Sequence, residues 1–185
     1  MNILVKNKVR ILRPWEYEAL LAAMPPDARI QLGGLLYTGM RYVEAQRFQS
    51  HPEWFDGKSF IMLPADAVRK ELVVFKERTI TLNAIGSKQV ALFLKEAPKL
   101  PTTQGWGQNL KRWAEAADLD PSGLCAKTTR KTWESWLANT YTDKFLWITN
   151  SQGHTITTSL QHYLGIGFYP EDRKAMLKHV EGWIN

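Results

Sequence analysis

Apolar residues along this chain recur mostly at the spacing of an α-helix, and only briefly at that of a β-strand. The helical spacing occurs in segments near 14–23, 28–38, 41–48, 83–94, 104–118, 127–137, 145–148 and 171–183. The β-prone runs are shorter and lie at 59–63, 72–75 and 78–82. Prolines and glycines separate many of these segments, as expected where helices end. The pattern predicts a mainly α protein with a small antiparallel β-sheet of two or three strands, an α+β fold.

Length, composition and charge indicate a single globular domain with an anionic partner. A chain of 185 residues with 44% hydrophobic content can bury the core of one domain. No apolar run approaches the roughly 20 residues that a membrane span needs. The single cysteine, Cys125, cannot form an internal disulfide and fits a reducing, cytoplasmic location. The net charge of +6 favours an anionic partner. We expect residues 1–13 to form a basic arm or linker and residues 14–185 to form the domain.

One stretch, 153–165, places a histidine and a tyrosine nine residues apart. Short hydroxyl side chains follow His154, so a helix is expected to begin there and to carry Tyr163 near its end. A phenol with a pKa of about 10 is a poor nucleophile at neutral pH unless cations lie close to it. The simpler alternative is a histidine at a helix start and a tyrosine packed by its ring.

Two other segments could supply such cations. Arg41 follows Gly39 at a helix junction, and Glu44 lies three residues further on, where the two side chains can pair. Arg130 lies in a helix whose first turn also carries Lys127, and this charge opposes the helix dipole. A phosphate at that helix start would relieve the conflict. The alternatives are a surface ion pair and a solvated basic turn.

Further basic residues are candidates for contacts with nucleic acid. They are Lys6, Lys8, Arg10, Lys76 and Lys131. The first three lie in the N-terminal arm, which either follows an acidic partner or is a solvated edge.

These pieces, in this order and spacing, resemble the catalytic domain of tyrosine recombinases, the phage integrase family. The resemblance covers about residues 14–183 and rests on Thr38-Gly39-Met40-Arg41 with Glu44, a lysine in a β-hairpin, Lys127-x-x-Arg130, and Gly153-His154 before Tyr163. The variant details are similar to integrases of archaeal viruses and plasmids. Those details are Lys127 in place of the usual histidine, Gln161-His162-Tyr163, and Val180-Glu181-Gly182-Trp183.

The resemblance implies a mechanism and a set of catalytic residues. Arg41 and Arg130 would clamp the scissile phosphate, and Tyr163 would attack phosphorus to give a 3′-phosphotyrosyl bond. His154 would hydrogen-bond the phosphate. A hairpin lysine would protonate the leaving 5′-oxygen, and Lys70 fits that position better than Lys76. The bond energy stays in the protein–DNA link, so no cofactor, ATP or metal is implied.

The resemblance also implies the partners. They are double-stranded DNA and, on paired DNA sites, three further copies in a homotetramer, with a monomer when free and no membrane. Nothing before Pro14 matches the family's helical core-binding domain, and Lys127 departs from its His-x-x-Arg motif. Two other readings stay open. One is nicking and religation like a type IB topoisomerase, and the other is a DNA-binding module that lacks the chemistry.

The last predicted helix, 171–183, carries an apolar face of Met176, Leu177, Val180 and Trp183. This face either docks on a neighbouring subunit or closes the domain's own core.

Overall fold

A computed structural model describes residues 3–67, 77–153 and 166–184 of the chain. Short helices of one turn lie at Pro52–Trp54, Ala65–Ala67 and Thr142–Lys144. The strands are β1 (Leu4–Lys6), β2 (Val9–Ile11), β3 (Phe60–Leu63) and β4 (Arg78–Thr81). The longer helices are α1 (Pro14–Ala23), α2 (Pro26–Thr38), α3 (Tyr42–Phe48), α4 (Ala84–Glu96), α5 (Thr103–Ala116), α6 (Thr128–Thr140), α7 (Phe145–Gln152) and α8 (Pro170–Val180). The fold is mainly α with small antiparallel sheets, which confirms the predicted fold class.

Helix α6 is the centre of the domain. Every residue from Thr128 to Leu137 is buried, and the helix packs against β2, α2, α7 and α8. Trp133 and Trp136 are buried in the core, where their rings contact Tyr37 and Tyr17 respectively. A helix buried all round positions its polar residues as firmly as its apolar ones. Arg130 is therefore held in the interior by the packing of its own helix.

The helix boundaries follow from local chemistry. Proline opens α1, α2 and α8, where its missing N–H costs nothing. Asn83 caps α4, since its Oδ1 accepts a 2.8 Å hydrogen bond from the Gly86 N–H at the start of that helix. Gly39 ends α2 in the left-handed conformation, with φ at 57°. The break predicted at Gly39 is confirmed.

The N-terminal segment is a hairpin rather than an extended arm or linker. Strands β1 and β2 pair antiparallel, and Asn7 and Lys8 form their two-residue turn with φ of 50° and 61°. A type I′ hairpin turn requires positive φ at both of these positions, and its backbone matches the twist of the flanking strands. Ile11 and Leu12 are buried in the core beside α6. Burial of these two side chains explains why the segment joins the domain.

The second hairpin joins β3 to β4 with Ile61 opposite Ile80 and Leu63 opposite Arg78. Ile61, Leu63 and Ile80 face the core, while Phe60 and Met62 face outwards. The predicted run at 72–75 lies outside the described residues. The described sheet therefore has two strands.

The C-terminal helix packs in its own domain. Met176, Val180 and Trp183 are buried against the core, while Leu177 is 48% exposed. Of the two alternatives for this helix, closure of its own core is the one that the structure supports. Leu177 is the one residue of the predicted apolar face that the domain leaves exposed. Nowhere in the described ranges is a helix both long enough and apolar enough to cross a bilayer.

Candidate functional site

Arg41 lies at the junction between α2 and α3, where the chain turns at Gly39. Its backbone N–H donates to Glu44 Oε2 at 2.7 Å, and its Nη1 donates to Glu44 Oε1 at 2.8 Å. The predicted Arg41–Glu44 pair is thus present. The side chain of Arg41 is 32% exposed, so part of its guanidinium faces solvent. A surface ion pair was the alternative, and it is excluded because the Glu44 carboxylate is fully buried.

Glu44 also binds a second arginine, Arg78, which lies at the start of β4. Arg78 Nη1 donates to Oε1 at 2.8 Å and Nη2 donates to Oε2 at 2.7 Å, a bidentate fork. Burial alone would raise the pKa of Glu44. The hydrogen bonds and charge of Arg78, with the charges of Arg130 and Arg41, outweigh burial and lower that pKa to about 2. Glu44 is therefore an anion at neutral pH in the folded domain.

Arg130 reaches the same place from α6. Its Nη1 donates to the Gly39 carbonyl at 2.8 Å, and its Nη2 donates to the Gln152 carbonyl. Burial lowers the pKa of Arg130 to about 10, although Glu134 opposes that shift. The guanidinium stays charged at neutral pH. Arg130 is 7% exposed, so a small part of it remains accessible.

The C-terminal end of α7 gathers all three arginines. Three successive carbonyl groups each accept from a different arginine: Ser151 from Arg78 Nε at 3.1 Å, Gln152 from Arg130, and Gly153 from Arg41 Nη2 at 3.3 Å. The last carbonyls of a helix lack partners within it and carry the negative end of its dipole. Arginine donors from three separate elements satisfy them here. We call this arrangement, with Glu44, the arginine cluster.

Two glycines allow the arginine cluster to close. Gly153 ends α7 with φ at 63°, and a Cβ there would lie 2.8 Å from Arg78 Cδ. A Cβ on Gly39 would lie 2.6 Å from Gln152 Oε1. A larger residue at either position would force the Gln152 or Arg78 side chain to shift, and it would also strain the turn.

The predicted lysines on α6 take different positions. Lys127 is exposed directly before the first turn of α6, three residues before Arg130 of the arginine cluster. Lys131 is 8% exposed, and its Nζ donates to the Lys6 carbonyl at 2.8 Å. Burial lowers the pKa of Lys131. Lys131 therefore ties the β1–β2 hairpin to α6, and Lys8 is exposed at the tip of that hairpin.

Arg10 does not lie on the surface as expected for a DNA contact. It is 1% exposed, and its Nη2 donates to Glu16 Oε1 at 2.5 Å. Its Nη1 donates to the Asp120 carbonyl at 3.3 Å. The guanidinium is enclosed between Glu16 of α1 and the loop at Asp120, so Arg10 is left out of the DNA contacts proposed below.

Four of the predicted residues lie outside the described residues. They are Lys70, Lys76, His154 and Tyr163. Among the described ones, the structure brings Arg41 and Arg130 to the end of α7, directly before His154. Arg78 was missed, although its alternation with Ile80 in β4 signals an inward-facing side chain. In the described part of the chain, no three His, Cys, Asp or Glu side chains come together as a metal site would require.

Comparison with known proteins gives structural matches only. No family model matches the sequence, and no curated protein matches it. XerA recombinase superposes with a TM-score of 0.64 at 13% identity, over 96% of this chain and 67% of that chain. The Tn1549 transposon integrase, solved with circular intermediate DNA, gives 0.65 at 16% identity, over 95% and 68%. XerH recombinase, in a post-cleavage complex with a palindromic difH substrate, gives 0.61 at 17%, over 96% and 54%.

These neighbours are tyrosine recombinases. The chain therefore has the fold of a tyrosine-recombinase catalytic domain. It spans about half to two thirds of the length of the recombinases that it matches.

Proposed function

We propose that this domain breaks and rejoins DNA strands by the chemistry of tyrosine recombinases. The observation that carries the proposal is the meeting of Arg41 and Arg130 at the end of α7, where the chain leads straight into His154. Two arginines from distant elements on this fold are the arrangement that a scissile phosphate would need. The two recombinase neighbours that were solved with DNA lend further support.

The electrostatics of the arginine cluster support an anionic substrate. Arg41 and Arg78 share one carboxylate, Glu44, whereas Arg130 donates to neutral carbonyl groups and feels the charges of Glu134 and Glu44. Arg41 carries part of this positive charge at the surface. A phosphate there would accept hydrogen bonds from preorganised donors, and these strengthen as charge develops in the transition state.

The proposed reaction consists of two successive phosphoryl transfers. The Tyr163 oxygen passes its proton to solvent and forms a bond to phosphorus as the bond from phosphorus to the 5′-oxygen breaks. Lys70 donates a proton to that oxygen, with Lys76 as the alternative donor, and His154 and Lys127 hold the phosphate oxygens. A 5′-hydroxyl then attacks the phosphotyrosine, which restores the tyrosine and joins the strand. Lys6 and Lys8 add contacts to the DNA backbone. Lys131, which was predicted to contact DNA, is left out because it is buried and its Nζ bonds to the Lys6 carbonyl.

The test is capture of the covalent intermediate. Duplexes from the DNA flanking the gene, nicked close to each candidate cleavage point, let the short strand diffuse away and trap the adduct. Wild type and Tyr169→Phe are expected to give an adduct that survives denaturing electrophoresis. Tyr163→Phe is expected to bind the same duplex and give none. An adduct in Tyr163→Phe would contradict the assignment of the nucleophile.

The same substrates separate the remaining functions. DNA binding without an adduct in wild type would indicate a binding module without catalysis. If an adduct forms, exchange of strands between two marked sites distinguishes a recombinase, acting as a homotetramer, from a topoisomerase-like activity that only rejoins its own cut.

A further inference from the structure

We infer that Arg78 is a positioning residue for the proposed cleavage reaction, acting through Arg41 and the end of α7 rather than on DNA. The inference rests on the proposed function. It starts from the fact that Arg78 is only 10% exposed, so that its guanidinium is turned inward. All three of its nitrogens that can donate are engaged within the protein.

Arg78 fixes the carboxylate that orients Arg41. Its fork occupies both oxygens of Glu44, and Arg41 Nη1 shares one of them. A carboxylate held at both oxygens cannot rotate, so Arg41 Nη1 has a fixed acceptor. The same Glu44 also receives the Arg41 backbone N–H. The direction of Arg41 therefore depends on Arg78.

Arg78 also fixes the segment that leads to His154. Its Nε donates to the Ser151 carbonyl, while its Cδ lies against the position that a Gly153 side chain would occupy. Ser151 comes two residues before Gly153, whose carbonyl accepts from Arg41. One side chain thus sets the distance between the α3 start and the α7 end.

The strand beneath Arg78 gives that side chain its precision. Arg78 pairs with Leu63 in the β3–β4 register, and Leu63 and Ile80 are both buried beneath the sheet. A residue anchored by sheet pairing on a packed strand holds its side chain more rigidly than one on a loop. The planar fork of arginine then transfers this rigidity to Glu44 and to Ser151.

Arg78→Lys is the variant that separates charge from geometry. Lysine keeps the positive charge beside Glu44, but a single ammonium cannot hold both carboxylate oxygens and the Ser151 carbonyl in one plane. Single-turnover cleavage of the nicked duplex is expected to slow about 10- to 100-fold in Arg78→Lys. The DNA dissociation constant is expected to change less than about threefold, because Arg78 makes no contact with DNA in this proposal.

Single-turnover kinetics also exclude a merely structural role. Partial unfolding lowers the amplitude of the cleavage phase, whereas a misplaced catalytic group lowers its rate constant. Arg112→Met is the control, because Arg112 is exposed on α5 and, among the described residues, bonds only to Asn109 of its own helix. An Arg78→Lys protein that loses amplitude but cleaves at the wild-type rate constant would overturn the inference.

A second measurement keeps the inference distinct from the proposed function. Amide hydrogen exchange at Gly153, whose N–H donates to the Asn150 carbonyl, reports how firmly α7 ends. Exchange is expected to be faster in Arg78→Lys and unchanged in Arg112→Met. Faster exchange without any adduct in wild type would overturn the cleavage function and leave the positioning intact. Unchanged exchange would overturn the positioning.

Discussion

Two places in this domain bury arginines, and they do so in different ways. Near the N-terminus each arginine has its own carboxylate: Arg10 pairs with Glu16, and Arg13 pairs with Asp172. All four of these side chains are at most 5% exposed. In the arginine cluster, Arg41 and Arg78 share Glu44, Arg130 donates to two carbonyl groups, and Arg41 is partly exposed.

The difference separates a structural role from a binding role. A balanced, enclosed pair leaves no charge for a ligand and serves to join elements, here the first helix to the last. A cluster with more arginines than carboxylates, opened to solvent at Arg41, keeps positive charge available for an anion. Burial of an arginine therefore does not by itself indicate a function. The number of carboxylates that neutralise it must also be known.

The largest expected effect is on stability at the balanced pairs. Arg13→Met leaves Asp172 buried without its guanidinium, which should cost on the order of 3–5 kcal/mol in the free energy of unfolding. Urea titration measures this loss. Arg13→Met combined with Asp172→Leu is expected to recover most of it, because neither charge remains. A loss below about 1 kcal/mol in the single variant would contradict the structural role.

The next effect is on chemistry at the arginine cluster. Arg41→Ala and Arg130→Ala are expected to slow single-turnover cleavage about 100- to 1,000-fold, since each removes a donor aimed at developing charge. DNA affinity, measured by fluorescence anisotropy, should fall far less. Equal losses of rate and affinity would show that these arginines only hold the duplex.

A modified substrate sharpens this prediction. A 5′-bridging phosphorothiolate has a leaving group that needs no proton. Cleavage of it by Lys70→Ala is expected to approach the wild-type rate, while Arg130→Ala stays slow because its defect concerns charge. Recovery by Lys76→Ala instead would move the general acid to that lysine.

A smaller effect concerns the pH dependence of folding. The pKa of Glu44 is about 2 in the folded domain, below the ordinary value of about 4.5. Its contribution, on the order of 3 kcal/mol, is therefore present above pH 4.5 and lost as pH falls from 4.5 towards 2. Thermal unfolding between pH 2 and 6 is expected to show this loss in wild type and a flatter profile in Glu44→Gln. The same pH dependence in wild type and Glu44→Gln would contradict this contribution of Glu44.

The smallest effect is expected at the hairpin tip. Lys8→Asn removes one exposed charge while keeping a residue that tolerates the left-handed turn. If Lys8 contacts a phosphate, the slope of log K against log salt should decrease by about 1. Arg10→Met should leave that slope unchanged, because the Arg10 guanidinium is enclosed in the domain. A shift at Arg10 and none at Lys8 would reverse the assignment.

The sequence predicted the helices well because prolines, glycines and capping residues act within one turn of the chain. The Arg41–Glu44 pair was predictable for the same reason, since three residues along a helix start face each other. The role of Arg78 in the site was not predicted, and Arg10 was expected on the surface although it is buried. Their partners depend on which strand face turns inward and on which helix covers it, and that is decided by packing across the domain.

The three carbonyls at the end of α7 also impose an order of assembly. Arg41, Arg78 and Arg130 leave the ribosome before residues 151–153, which provide the acceptors that hold them together. A nascent chain or a product truncated before α7 therefore contains the arginines in unconnected elements. The complete cluster can form only after residues 151–153 have been synthesised.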